Sequence, residues 1–98
     1  MTTTNLTAGA ADRAEKASRK AVAACKAGNL EATQKHCTAS VNWATKAYDL
    51  ADNVVDADAE KAAWSDWRRA AEAAALAEFA TRMATRDSIL AEIAGRRG

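Results

Sequence analysis

The stretch Lys26-Ala27-Gly28-Asn29-Leu30-Glu31 decides the fold. Gly takes the left-handed position that closes a helix, and Asn is among the best residues to open the next one. Lys26 before the turn and Glu31 after it suit the two helix dipoles. The chain has no Pro and only 4 Gly, so this is its clearest break. So short a connection makes the helices it joins antiparallel neighbours.

Upstream of the turn, Ala10, Ala14, Ala17, Ala21, Ala24 and Gly28 recur in steps of four and three, the spacing of one helix face. Every member is small, so a neighbouring helix can approach near the short end of the usual ~8–10 Å range. Asp12, Arg13, Glu15, Lys16, Arg19 and Lys20 mostly fill the solvated side. Thr7 is the expected N-cap, which leaves residues 1–7 as a flexible tail and a first helix over about 8–27.

Downstream, a second helix is predicted over about 30–55. Leu30, Gln34, Cys37, Val41, Ala44, Tyr48, Ala51 and Val55 form one stripe, and Trp43, Ala47, Leu50 and Val54 form another beside it. The combined arc is that of a helix touching two others. Past Val55 the first stripe runs into Asp58, Ala62, Ser65 and Arg69, and a new apolar phase begins at Ala63, Trp67, Ala70, Ala74 and Ala77. A turn near Asp56–Asp58 is therefore predicted over one continuous helix, with Asp56 or Asp58 as the cap and Glu60 in the first turn.

The third helix, about 59–94, is apolar first on the Trp64, Trp67, Ala71, Ala74 side. Later its apolar side is Leu76, Phe79, Met83 and Leu90, with Ile89 and Ile93 flanking. It would be roughly 54 Å long against about 39 Å for the second. It must overhang the hairpin or kink near 85–88, where Asp87 or Ser88 could cap a short fourth helix. Residues 95–98 read as a frayed tail. The fold class is all-α: a single domain over 8–94, built as an antiparallel helical hairpin plus a long third helix.

Composition narrows the function. Of 98 residues 49% are hydrophobic, but most of these are Ala, and aromatics are 5%. Such helices must pack very closely or find a partner. A net charge of +1 provides no field that would steer nucleic acid or an anionic membrane. The first residues lack the pattern of a signal peptide. The longest apolar run, Ala73-Ala74-Ala75-Leu76-Ala77, is far short of a membrane span. A cytoplasmic location with reduced cysteines is the expectation.

Cys25 and Cys37 flank the turn but are offset by roughly 7–8 Å along the helix axes, poor for a disulfide. They read as small buried hydrophobes. With His36 they make only three zinc ligands, and structural zinc wants four. His36 and Ser40 stand one turn apart, yet no orienting acid or oxyanion loop accompanies them. No catalytic residue, metal or cofactor is expected, and the chain does not read as an enzyme. Arg68, Arg69, Arg82, Arg86, Arg96 and Arg97 accumulate late, but Asp66, Glu72, Glu78, Asp87 and Glu92 are interleaved with them, giving pairs such as Glu78–Arg82. Trp43, Trp64 and Trp67 are expected to anchor the core, with Trp43 meeting the other two across the antiparallel pair.

Ala17, Ala21, Ala24, Gly28, Leu30, Cys37 and Ser40 resemble the small-and-large alternation of a tetratricopeptide-type hairpin. With a third helix following, the arrangement is similar to the microtubule-interacting-and-trafficking type of bundle. Thr33 departs from the Ala of the repeat, no Pro closes it, and no second repeat follows. The resemblance implies groove binding of helices or extended peptides.

The expected function is a small protein–protein interaction module that associates with itself, as a homodimer, or with another protein. Its partner surface would be Leu76, Phe79, Met83, Arg86, Leu90 and Ile93. The Ala- and Arg-rich composition resembles that of high-GC bacterial and phage proteins, so a regulator or inhibitor of a host protein is the specific expectation. The alternatives are a nucleic-acid-binding regulator using the late Arg residues and, more remotely, a non-catalytic subunit of an enzyme complex.

Overall fold

The computed structural model describes residues 3–97, with side chains from Leu6 to Arg96. Three helices, α1 (Thr3–Lys26), α2 (Leu30–Asp52) and α3 (Ala57–Arg97), each pack against the other two. The chain forms an all-α three-helix bundle. The first turn is a Schellman closure: Gly28 adopts φ +75°, its N–H donates to the Cys25 carbonyl at 3.0 Å, and the Asn29 N–H donates to Ala24 at 2.9 Å. The Asn29 side chain then caps α2 by accepting from the Ala32 N–H at 3.0 Å.

The second turn runs over 53–56. The Asn53 N–H and side-chain amide donate to the last carbonyls of α2, including Asp49 at 2.7 Å. Asp56 opens α3: its carboxylate accepts from the Asp58 N–H at 3.2 Å and its carbonyl from Glu60 at 2.8 Å.

Among the described residues, every fully buried hydrophobic side chain is an alanine. Ala10, Ala11, Ala14, Ala17 and Ala21 of α1 face Ala44, Ala47 and Ala51 of α2 and Ala63, Ala70, Ala74, Ala77, Ala80 and Ala84 of α3. The buried polar residues, Thr7, Ser18, Thr33 and Ser40, are small as well. On α2 the buried line of Thr33, Ser40, Ala44, Ala47 and Ala51 runs between the two stripes expected from the sequence. Gln34, Tyr48 and Val55, expected on the apolar arc, are exposed.

The tryptophans are not the centre of the core. Trp43, Trp64 and Trp67 are half-buried, and Trp43 and Trp67 pack against the alanine cluster from its edges. Trp43 does not join the other two: the Arg13 guanidinium lies over its ring at 4.6 Å, on the α1 side of α2. The side chain that meets Trp64 and Trp67 is Tyr48. Helices as close as an alanine seam brings them leave no room for an indole on the centre line.

The beginning of the chain also departs from expectation. The helix starts by Thr3, and Thr7 is buried within it, donating from its hydroxyl to the Asp66 carboxylate at 3.0 Å. Position 7 lies one turn before Ala10 and Ala11, so it continues the buried line, and this tertiary contact outweighs capping. Met1 and Thr2 of the expected tail lie outside the described residues. At the other end α3 continues through Gly95 to Arg97, because a single Gly costs a helix only about 1 kcal/mol; Gly98 lies outside the described residues.

The third helix overhangs and does not kink. Forty-one residues at 1.5 Å each give about 61 Å, matching the 62 Å long axis of the molecule. Thr85 and Thr81 donate their hydroxyls to carbonyls one turn back, at 2.8 and 3.1 Å, and the helix runs unbroken through both. The last buried residue is Ala84, and 86–96 are exposed throughout. About 20 Å of helix projects beyond the hairpin.

An overpacked seam should be felt at once. Ala21→Leu, at a fully buried site, is expected to cost on the order of 1–3 kcal/mol in urea denaturation, and Arg19→Leu to stay within about 0.5 kcal/mol. Ser18 supplies an opposite case: its buried hydroxyl has no hydrogen-bond partner. The carbonyl one turn back, Ala14, accepts from Ser40 instead, at 2.8 Å. Ser18→Ala should be neutral or stabilising, and Ser40→Ala should cost about 0.5–1.5 kcal/mol.

Candidate functional site

The surface that stands out is the outer face of α3. Leu76, Phe79, Ile89 and Leu90 are between 50% and 54% exposed and Ile93 is 40% exposed, while Met83 is half-buried. Leu76, Phe79, Met83, Arg86, Leu90 and Ile93 follow one another in steps of three and four, the a/d spacing of a coiled-coil seam. Ala77, Ala80 and Ala84 follow Leu76, Phe79 and Met83 by one residue, about 100° around the helix, and with Ala70 and Ala74 they are buried. One helix thus carries two seams: a small one turned to α1 and α2, and a large one turned outward. The structure keeps all six sequence-predicted surface residues on one continuous helix face.

The accessible surface is 6417 Å², where a compact protein of 10.3 kDa would expose about 5,400 Å². The excess, on the order of 1,000 Å², compares with the roughly 800 Å² that each partner contributes to a standard interface.

Comparison with family models, curated proteins and solved structures finds no match for this chain. The likeness to tetratricopeptide and microtubule-interacting bundles is therefore one of turn chemistry and small residues only.

Among the described residues three arginines, Arg69, Arg86 and Arg96, form ion pairs within the chain. Arg69 hydrogen-bonds Asp12 at 2.9 Å and also Glu15, and lies 3.7 Å from Asp66, tying α3 to α1. Its hydrogen bond with Asp12 holds its pKa above the ordinary guanidinium value. Arg86 pairs with Asp87 at 3.3 Å, Arg96 pairs with Glu92 at 2.6 Å, and Arg82 lies over the Phe79 ring.

The residues weighed for chemistry are placed apart from this face. Ser40 is fully buried and donates to the Ala14 carbonyl, so it presents no nucleophile beside His36. Cys25 and Cys37 are free and half-buried. Among the described residues no three His, Cys, Asp or Glu side chains converge on a metal position. No described helix is long and apolar enough to cross a membrane.

A feature not read from the sequence is the cluster of Tyr48, Trp64 and Trp67. Their rings meet edge to face, with centroids 5.3–5.7 Å apart. Tyr48 sat in the α2 stripe, but its pairing depends on how the two helices align across the second turn.

This cluster makes two measurable claims. A Tyr48/Trp64 double-mutant cycle should show a coupling of about 0.5–1.5 kcal/mol. Trp67→Ala should cost about 2 kcal/mol, short of the ~3–5 of a fully buried site, because the side chain is only partly buried against the core.

Proposed function

We propose that this protein is a protein–protein interaction module that associates with itself through the outer face of α3. The observation that carries this reading is the exposed a/d seam from Leu76 to Ile93, much of it on helix that no other described residue covers. An apolar stripe left in water normally marks an interaction surface, and a symmetric dimer is the commonest way to bury one. Arg86, within the stripe, can lay its stem on apolar surface while its head stays hydrated.

A net charge of +1 and the pairing of Arg69, Arg86 and Arg96 with carboxylates of the same chain favour this reading over nucleic-acid binding. Two free thiols fit a reducing compartment, and we propose the cytoplasm. The interaction role is non-enzymatic and needs no cofactor.

Sedimentation of the parent over a wide concentration range should show a reversible dimer. Met83→Glu and Leu90→Glu should shift it to monomer without loss of helicity or of the unfolding transition of the hairpin, since neither residue is in the alanine core. A parent that sediments as a monomer up to high micromolar concentration rejects the reading.

A further inference from the structure

We infer that the two copies meet antiparallel, so that the overhanging end of each third helix lies against the body of the other; this rests on the self-association proposed above. The seam itself offers the two directions. In a parallel pair each position faces itself, so Arg86 would meet the partner subunit's Arg86 inside a seam layer. One layer before Leu76 the same spacing reaches Glu72, which would meet the partner subunit's Glu72. Like charges facing across a contact are unfavourable. The compensation is a pair at the rim, Arg82 with the partner's Asp87, worth little in water.

An antiparallel pair places a positions against d positions. The register that uses all six residues sets Leu76 against the partner's Ile93, Phe79 against the partner's Leu90, and Met83 against the partner's Arg86. The Glu72 layer disappears, its two copies lying about 37 Å apart along the axis, and the two Arg86 residues leave a shared layer for adjacent ones, offset by about 4.5 Å. Arg86 lies over a thioether, and Glu72 faces the last turn of the partner, whose sequence there is Arg96-Arg97. Glu72 borders a shallow groove between α1 and α3, with Glu15, Ser18, Arg19, Arg69, Ala73 and Leu76, in which Glu15 is already bonded to Arg69. The basic end of the second copy arrives beside the exposed Glu72 carboxylate and a half-exposed leucine. Each overhang is covered, and each covers the stripe on the other body.

The two arrangements differ in shape and in which residues can be cross-linked. Antiparallel pairing gives a rod of about 85 Å, and parallel pairing one of about 62 Å with both bodies at one end. In a Cys25→Ser/Cys37→Ser background, Leu90→Cys alone and Phe79→Cys alone should not form a disulfide-linked dimer. Equivalent positions lie about 16 Å apart along the axis in the antiparallel pair, well beyond disulfide reach. An equimolar mixture of the two variants should cross-link on oxidation, and X-ray scattering of the parent should show the longer particle. Efficient cross-linking of Leu90→Cys with itself, in a protein that sediments as a dimer, overturns the antiparallel arrangement while leaving self-association intact. A monomer by sedimentation overturns both.

Discussion

The hydroxyl of Ser40 reaches the backbone carbonyl of Ala14 on another helix at 2.8 Å, and the rest of the bundle depends on the closeness that this bond reports. A serine side chain extends only one carbon from its backbone, so two helix backbones must nearly touch for it to form. They can do so because Ala14, Ala44 and Ala47 surround the crossing. Each methyl removed from water contributes little. Close contact compensates through dispersion between backbones and through short polar side chains that bridge them.

A seam of uniform methyl groups is poor at specifying register. Knobs of identical size fit several sets of holes, so sliding by one turn costs less than in a core of large, differently shaped residues. In this chain polar contacts do the specifying. Ser40 aligns α2 with α1, Thr7 aligns α1 with Asp66 of α3, and Arg69 secures the same pair through Asp12 and Glu15. None is strong by itself, and Arg69 is partly in water, where ion pairs are individually weak. Their value lies in being satisfied together in only one alignment.

The all-α architecture was legible because its signals are local. Gly28-Asn29 announces a helix stop and start, and the loss of apolar phase after Val55 announces the second turn. The small stripe Ala10, Ala14, Ala17, Ala21 was also legible, since its spacing is that of one face. The tryptophans were misplaced because large apolar residues were assumed to take the middle. Interhelix distance is set by the smallest facing pair, and once that pair is Ala on Ala the indoles are displaced to the edges. Thr7 was misread for a related reason: capping propensity is a property of a few residues, whereas its burial depends on Asp66, far along the chain. Length alone left overhang and kink equally open. The unbroken run of α3 from Ala57 to Arg97, as long as the molecule's 62 Å axis, decides for an overhanging helix. The candidate surface was legible as a stripe, but its two-seam relation to the buried alanines required the backbone.

The alanine core has a thermal consequence. The heat capacity change of unfolding scales with the apolar area that folding hides, and it sets how sharply stability curves with temperature. A core of methyl groups on closely spaced backbones hides little hydrocarbon relative to the peptide groups it sequesters. The monomer's stability curve is accordingly broad and shallow, falling slowly on either side of its maximum. Any partner that covers Leu76 to Ile93 adds the hydrocarbon that the core lacks. Curvature in temperature would then enter with assembly, so that cooling weakens the contact between molecules before it loosens the molecule itself.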